Sequence, residues 1–310
     1  MTADGRAGIT ADLVRALLRD QLPRWADLPV RPVEHDGHDN RTYRLGDDLT
    51  VRLPTAAGYV PAVAKEDRWL PVLSPQLPVA VPEPVATGAP GRGYPFPWSV
   101  RRWIAGTPVV LAPSTDHEAL ARDVAGFVRA LQAVDATGGP QAGEHSFFRG
   151  CDPVHYDDET RVAVDRLAGH VDPGPATEGW DAALAATWDG PPVWFHGDLA
   201  VGNLLVRDGR LAAVLDFGTC GVGDPACDLV LGLVTFTGRA REVWRAEVPG
   251  DDATWARARG WALWKALIVA AAALRDHGRP DPEALRVVTE VLADHRVGST
   301  PFRRGRVTRP

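Results

Sequence analysis

The chain has 310 residues, 45% hydrophobic and 24% charged, with a formal net charge of −6. That profile fits an ordinary soluble globular protein with one large or two smaller cores, argues against a nucleic-acid partner and suits a cationic one. Cys151, Cys220 and Cys227 form no C-x-x-C pair and are odd in number, the N-terminus MTADGRAGIT carries no basic-then-apolar leader, and no apolar run reaches membrane-spanning length, so a reducing cytoplasm is expected and a membrane partner is not.

Thr10 is placed to cap a helix whose Leu13, Val14, Leu17 and Leu18 share one face and which Pro23 ends. Short strands follow at 30–34, 42–45 and 49–53, the last two joined at Gly46-Asp47-Asp48. Between the first and second lies a polar loop, 35–41, that ends on Asn40 and Arg41 and holds one glycine, so it is no G-x-G-x-x-G. In the third strand Val51 and Leu53 share a face, which turns Arg52 the other way. Pro61 opens a helix that carries Glu66 and runs to Leu70. Seven prolines between 74 and 97 favour extended connections, with strands at 85–87 and 98–103.

Helices then dominate. Behind a Thr115 or Asp116 cap, Leu120, Val124, Phe127, Val128 and Leu131 form an apolar stripe over 118–134. The acidic segment 151–159 leads into a helix ending near Leu167, and another is expected over 180–188. Beyond Asp224-Pro225, helices are expected around 229–234 and over 239–246, 254–276 and 281–293, with Trp255, Trp261 and Trp264 on the long one. The basic tail 303–310 has no apolar anchor and reads as disordered.

The most informative stretch is 193–228, VWFHGDLAVGNLLVRDGRLAAVLDFGTCGVGDPACD. Apolar runs at 204–206 and 211–215 flank Asp208-Gly209, the pattern of two strands joined by a tight turn. Asp198 stands before this hairpin, Asn203 at its start and Asp216 at its end. A carboxylate placed as a base, with a second carboxylate and an amide placed to hold a divalent cation, is the set that phosphoryl transfer from a nucleotide requires.

The ordered motifs HGD, N, DFG and GDPxxD, all within residues 196–228, resemble those of the aminoglycoside phosphotransferase family of small-molecule kinases. The offset from Asp198 to Asn203 and the tripeptide Asp216-Phe217-Gly218 are those of protein kinases, but Gly223-Asp224-Pro225 follows at once and leaves no room for an activation segment. The resemblance implies an α+β, bilobal protein-kinase-like fold. Its small antiparallel-sheet lobe would cover 1–103, its larger helical lobe 104–296, and 297–310 would lie outside both. It implies transfer of the γ-phosphate of ATP or GTP, with Mg²⁺, to a hydroxyl of a small cationic molecule, an aminoglycoside before other acceptors. Other hydroxylated antibiotics or metabolites (a macrolide, a peptide antibiotic, choline, homoserine) come next, and a non-catalytic nucleotide binder last.

Roles follow from the resemblance. Asp198 accepts the proton of the acceptor hydroxyl or orients it, and Asn203 and Asp216 hold Mg²⁺. Asn40 and Arg41 lie over the phosphates. Arg52 stands where a kinase lysine binds phosphates and pairs with a helix glutamate, here Glu66. Arginine keeps the charge but is bulkier and bidentate. Arg102, Trp103 and Ile104 form the linker whose main chain reads the base. His196 is a buried scaffold residue, Asp224 a buried brace of the catalytic loop, and Asp228 either a second brace or an acceptor contact. Asp157 and Asp158 are either helix-start acids or acceptor contacts. An acidic acceptor site would favour polycationic aminoglycosides; an apolar one lined by tryptophans would favour a macrolide-like ligand.

Overall fold

Alternation between apolar and polar residues builds the N-terminal sheet. In the computed structural model, which describes residues 8–34 and 36–298, five strands pair antiparallel in the order β1-β2-β3-β5-β4. These are β1 (Val30–Pro32), β2 (Asn40–Leu45), β3 (Leu49–Pro54), β4 (Pro84–Gly88) and β5 (Trp98–Arg102). Val30, Tyr43, Leu45, Val51, Leu53, Trp98 and Val100 bury together with Val14, Leu17 and Leu18 of α1 (Ala11–Gln21). Thr10 caps that helix, its hydroxyl accepting the Leu13 N–H at 3.2 Å. The tail 303–310 lies outside the described residues.

The helix after β3, α2 (Val60–Leu73), continues through Pro71 rather than stopping at Leu70. Its Leu70 and Leu73 join the larger core and not that of the sheet. Lys65, buried on this helix, donates to the carbonyl and to Nδ1 of His145, both at 3.0 Å. α2 therefore links the two lobes.

The larger core is mostly helical: α3 (His117–Ala133), α4 (Asp157–Arg166), α5 (Pro173–Ala185), α6 (Val230–Val234), α7 (Gly238–Glu247), α8 (Asp252–His277) and α9 (Pro282–Gly298). At its centre α8 packs on α5, so closely that a Cβ at Gly260 would stand 2.4 Å from that of Ala183. α5 begins seven residues earlier than the apolar pattern implied and ends before Trp188. Asp172 caps it, accepting the Gly174 N–H at 3.1 Å, and Pro173 and Pro175 fall in the first turn, where a missing N–H removes no helical bond. Two small sheets complete the α+β, bilobal fold: β6 (Thr107–Pro108) with β8 (Leu204–Arg207) and β9 (Arg210–Val214), and β7 (Val193–Phe195) with β10 (Gly221–Gly223). No helix among the described residues is long and apolar enough to cross a membrane.

Candidate active site

The β8–β9 hairpin is closed by Asp208 and Gly209, both left-handed, as a two-residue turn with right-handed strand twist demands. At its open end the Leu215 N–H donates to Asn203 O at 2.8 Å, which brings the start and end of the hairpin together. Asn203 Nδ2 donates to the carbonyl of Asp198 at 3.0 Å and to its Oδ2 at 3.2 Å, leaving the amide oxygen free for a cation. Asp216 has a left-handed backbone (φ 63°), a sparsely populated state for a residue with a Cβ, and accepts the Gly218 N–H at 3.4 Å.

Below Asp198 the loop 196–203 rests on buried groups. Asp228 accepts the N–H groups of His196 and Gly197, each at 2.7 Å. Burial pushes its carboxyl up, opposed by His196 and these two amides. His196 Nε2 lies 2.9 Å from Leu215 O, which only accepts, so that nitrogen carries the proton and Nδ1 receives the Asp198 N–H at 3.2 Å. Asp224 is placed differently from its expected role. It caps the turn at Ala226 and pairs with Arg257 of α8 at 2.6 and 3.2 Å, both side chains buried. The residue bonded to the loop is Asp228, four positions further on, and it is fully buried there.

Above, strand register sets the charges. Arg52 pairs across β3–β5 with Ser99, and Thr50 with Arg101, so the polar side chains of both strands share a face under α2. Arg52 reaches Glu66 Oε2 at 3.5 Å and Asp216 Oδ1 at 3.6 Å. Burial opposes its charge, but Glu66, Asp216 and Asp39 outweigh that and hold its pKa above the ordinary value. The same Glu66 oxygen meets Arg101 at 3.2 Å, while Glu66 Oε1 is buried without a hydrogen-bond partner among the described residues. Arg101, absent from the sequence reading, is fully buried and also holds Asp67 at 3.0 Å and Pro82 O at 3.2 Å. Its signal in the sequence was the two-residue alternation it shares with Ser99.

A cleft of about 550 Å³ separates this roof from the hairpin. Asn40, Arg52, Asn203 and Asp216 line it, as do Arg102, Trp103 and Ile104 of the linker. The Arg102 and Trp103 amides are engaged by Glu83 O at 3.0 Å and Asp48 O at 2.8 Å, whereas the Ile104 amide has no backbone partner among the described residues. Asp39, another lining residue that the sequence did not single out, has its carboxyl pushed up by burial and then by Asp216 and Asp198.

Arg41 does not join the cleft. β2 starts at Asn40 rather than Thr42, so Asn40 and Thr42 share the cleft face; Arg41 turns away and pairs with Asp36 at 2.9 Å. Asp157 is also committed elsewhere: it accepts the Trp180 indole N–H at 2.7 Å and pairs with Arg161 at 2.8 Å, packing α4 against α5. Asp158 is exposed at the start of α4.

Asn203 and Asp216 offer oxygen atoms, the donor type a hard divalent cation prefers, and two protein ligands suffice when phosphates and water complete the shell. The residues present fit Mg²⁺.

The profile of the phosphotransferase enzyme family (APH) matches residues 29–261. The chain belongs to that family. Among solved structures of similar fold is the GDP complex of aminoglycoside 2'-phosphotransferase-IIIa, with 18% identity, a TM-score of 0.67 and 93% of this chain aligned to 100% of that one. The ADP-bound aminoglycoside phosphotransferase APH(2'')-Ib shares 18% identity at a TM-score of 0.58, over 92% and 97% of the two chains. The macrolide 2'-phosphotransferase MphH from Brachybacterium faecium shares 27% identity at 0.55, over 93% and 90%. No curated protein matches the chain.

Proposed function

We propose that this phosphotransferase moves the γ-phosphoryl group of ATP or GTP to a hydroxyl of a small molecule. The N-terminal lobe, to about residue 103, would bind the nucleotide, and the segment 104–296 would supply the catalytic loop and the acceptor side. The observation that supports the reading is that Asn203, Asp216 and Arg52 share the lining of one cleft, while Asp198, which does not line it, is tied to Asn203 at 3.2 Å.

Asp198 takes the hydroxyl proton as the acceptor oxygen forms its bond to phosphorus. The bond from phosphorus to the β,γ-bridging oxygen breaks, and the nucleoside diphosphate leaves with that electron pair. Asn203 fixes the Asp198 carboxylate through its amide N–H, and Arg52, steadied by Glu66, presents donors to the phosphates. Mg²⁺ held by Asn203 and Asp216 supplies neutralising charge at the phosphates when bound.

GDP and ADP in the similar enzymes support a nucleotide co-substrate. Kanamycin, gentamicin and streptomycin in other similar structures support an antibiotic-type acceptor. The higher identity to a macrolide enzyme favours keeping the acceptor class wider than aminoglycosides. Free cysteines, two of them buried, suit a cytoplasmic setting.

A screen for ADP or GDP release over aminoglycosides, macrolides and small amino alcohols tests the reading, with mass spectrometry for the phosphate adduct. Acceptor-stimulated release that Asp198→Asn abolishes is expected. Binding of nucleotide with no transfer to any acceptor would instead favour a non-catalytic role.

A further inference from the structure

On the kinase reading above, the acceptor must approach Asp198 from the side away from the nucleotide cleft. There the catalytic loop meets the segment 147–150. A Cβ built on Gly197, the neighbour of Asp198, would stand 3.2 Å from the Cβ of Arg149. The Arg149 guanidinium lies over two indoles of α8, 4.5 Å from the ring centre of Trp264 and 5.3 Å from that of Trp261. It forms no ion pair among the described residues; its polar neighbours are the Phe147 carbonyl at 3.5 Å and the Tyr156 phenol.

Asp158 of α4 is exposed, but most carboxylates around Arg149 bond to other groups of the protein. Asp152 caps the turn at Val154 at 2.9 Å, and Glu159 accepts the Trp264 indole N–H at 2.8 Å. Asp157, Asp224 and Asp228 are tied to Trp180, Arg257 and the loop amides, as described above. A polycation approaching Asp198 would therefore meet a guanidinium that no acid pairs with among the described residues.

The segment is also held in a costly shape. Phe147 and Phe148 are consecutive left-handed residues (φ 48° and 54°), each a strained state of order 1–3 kcal/mol that persists where surrounding contacts impose it. Tyr156 supplies one such contact, donating to Phe147 O at 2.8 Å while its ring stacks on Trp264 with centres 4.1 Å apart. Phe147 is half-exposed, and its carbonyl lies 3.5 Å from the guanidinium that is spread on tryptophan. A guanidinium placed this way keeps its N–H edge available and is matched to the two oxygens of a carboxylate or phosphate.

We propose that Arg149 is a specificity-determining residue of the acceptor side, and that the acceptor is a hydroxylated molecule carrying an apolar ring face and an oxyanion, not a polycation. The full-length protein with MgATP or MgGTP is offered three sets of acceptors matched in size. These are hydroxylated ring carboxylic acids and sugar phosphates, their neutral esters or parent alcohols, and polycationic aminoglycosides. Transfer is expected in the anionic set. Arg149→Met, which keeps the apolar stem over the indoles and removes the charge, should raise the acceptor KM about tenfold or more with the nucleotide KM unchanged. Arg149→Lys should recover part of that loss.

Transfer confined to the neutral or polycationic sets, or an unchanged acceptor KM in Arg149→Met, would overturn the proposal. Carboxylates and phosphates within the anionic set separate the two sources of the oxyanion. Failure of the kinase reading looks different: no acceptor of any set would be phosphorylated, and any nucleotide hydrolysis would be indifferent to Asp198→Asn and Asp216→Asn.

Discussion

The floor of the site and its roof are held by different kinds of contact. Beneath Asp198 the bonds are short and buried: two amides on Asp228 at 2.7 Å, and Asp224 on Arg257 at 2.6 Å. Above it, Arg52 spans 3.5 and 3.6 Å to two acids, and Glu66 divides one oxygen between two arginines while the other stays unpaired. A saturated floor is organised before any ligand arrives, which is what orienting a reacting oxygen requires. Long ion pairs can exchange partners with phosphates and a cation at modest cost, so the roof suits the place where charge comes and goes.

The largest expected effect concerns chemistry on that floor. Asp198→Asn should lower kcat by about 10²–10⁴-fold, the usual worth of a positioned base. Thermal stability should hold, because Asp198 is exposed; a melt that drops with activity would assign Asp198 to structure. Next comes Arg257→Met, which strands Asp224 in the interior. It should cost about 3–5 kcal/mol in urea unfolding, and a loss under about 1 kcal/mol, the scale of a surface pair, would mean that the floor is not rigid.

Asp228→Asn places an amide NH₂ against one of two backbone donors and should cost about 1–3 kcal/mol together with part of kcat, as parallel melts and kinetics would read. On the roof, Arg52→Met should raise the nucleotide KM by roughly tenfold or more, and Arg52→Lys by less, with little change in melting. If Arg52→Met unfolds the protein as readily as Arg257→Met, the contrast between floor and roof disappears.

The smallest effect is a pH dependence at the joint between the lobes. His145 Nε2 donates to Gln141 O at 2.7 Å, Nδ1 accepts from Lys65, and burial, with Lys65 adding to it, holds the imidazole below its ordinary 6.5. The unfolded chain then takes up the proton first, so stability is full above 6.5 and declines as pH falls toward the lowered folded value. Unfolding midpoints across that window should fall in the wild type and flatten in His145→Gln; equal slopes would remove His145 from the account.

Legibility in the sequence followed distance along the chain. Asp198, Asn203 and Asp216 could be grouped because one hairpin carries all three, and Arg52 could be aimed at the cleft from the alternation in its own strand. Arg41 was misjudged because β2 starts two residues earlier than its apolar residues suggested, and a single residue of phase selects the face. Asp224 was expected to brace the loop and Asp228 to brace it or face the acceptor; Asp228 alone bonds the loop amides, and only the position of α8 shows that Arg257 meets Asp224.

By itself the sequence determined the succession of elements, the catalytic hairpin and the chemistry it can perform, since periodicity, capping and turn residues act over a few positions. The tertiary structure decided which charges remain available. Buried Arg101, Asp224 and Asp228 find partners on segments far away in sequence, as do Asp157 and Glu159 of α4, because a charge removed from water requires a counter-charge or hydrogen bonds wherever the fold can bring them. That allocation, which leaves Arg149 without an ion pair among the described residues, is set by packing between helices and is written in no local pattern.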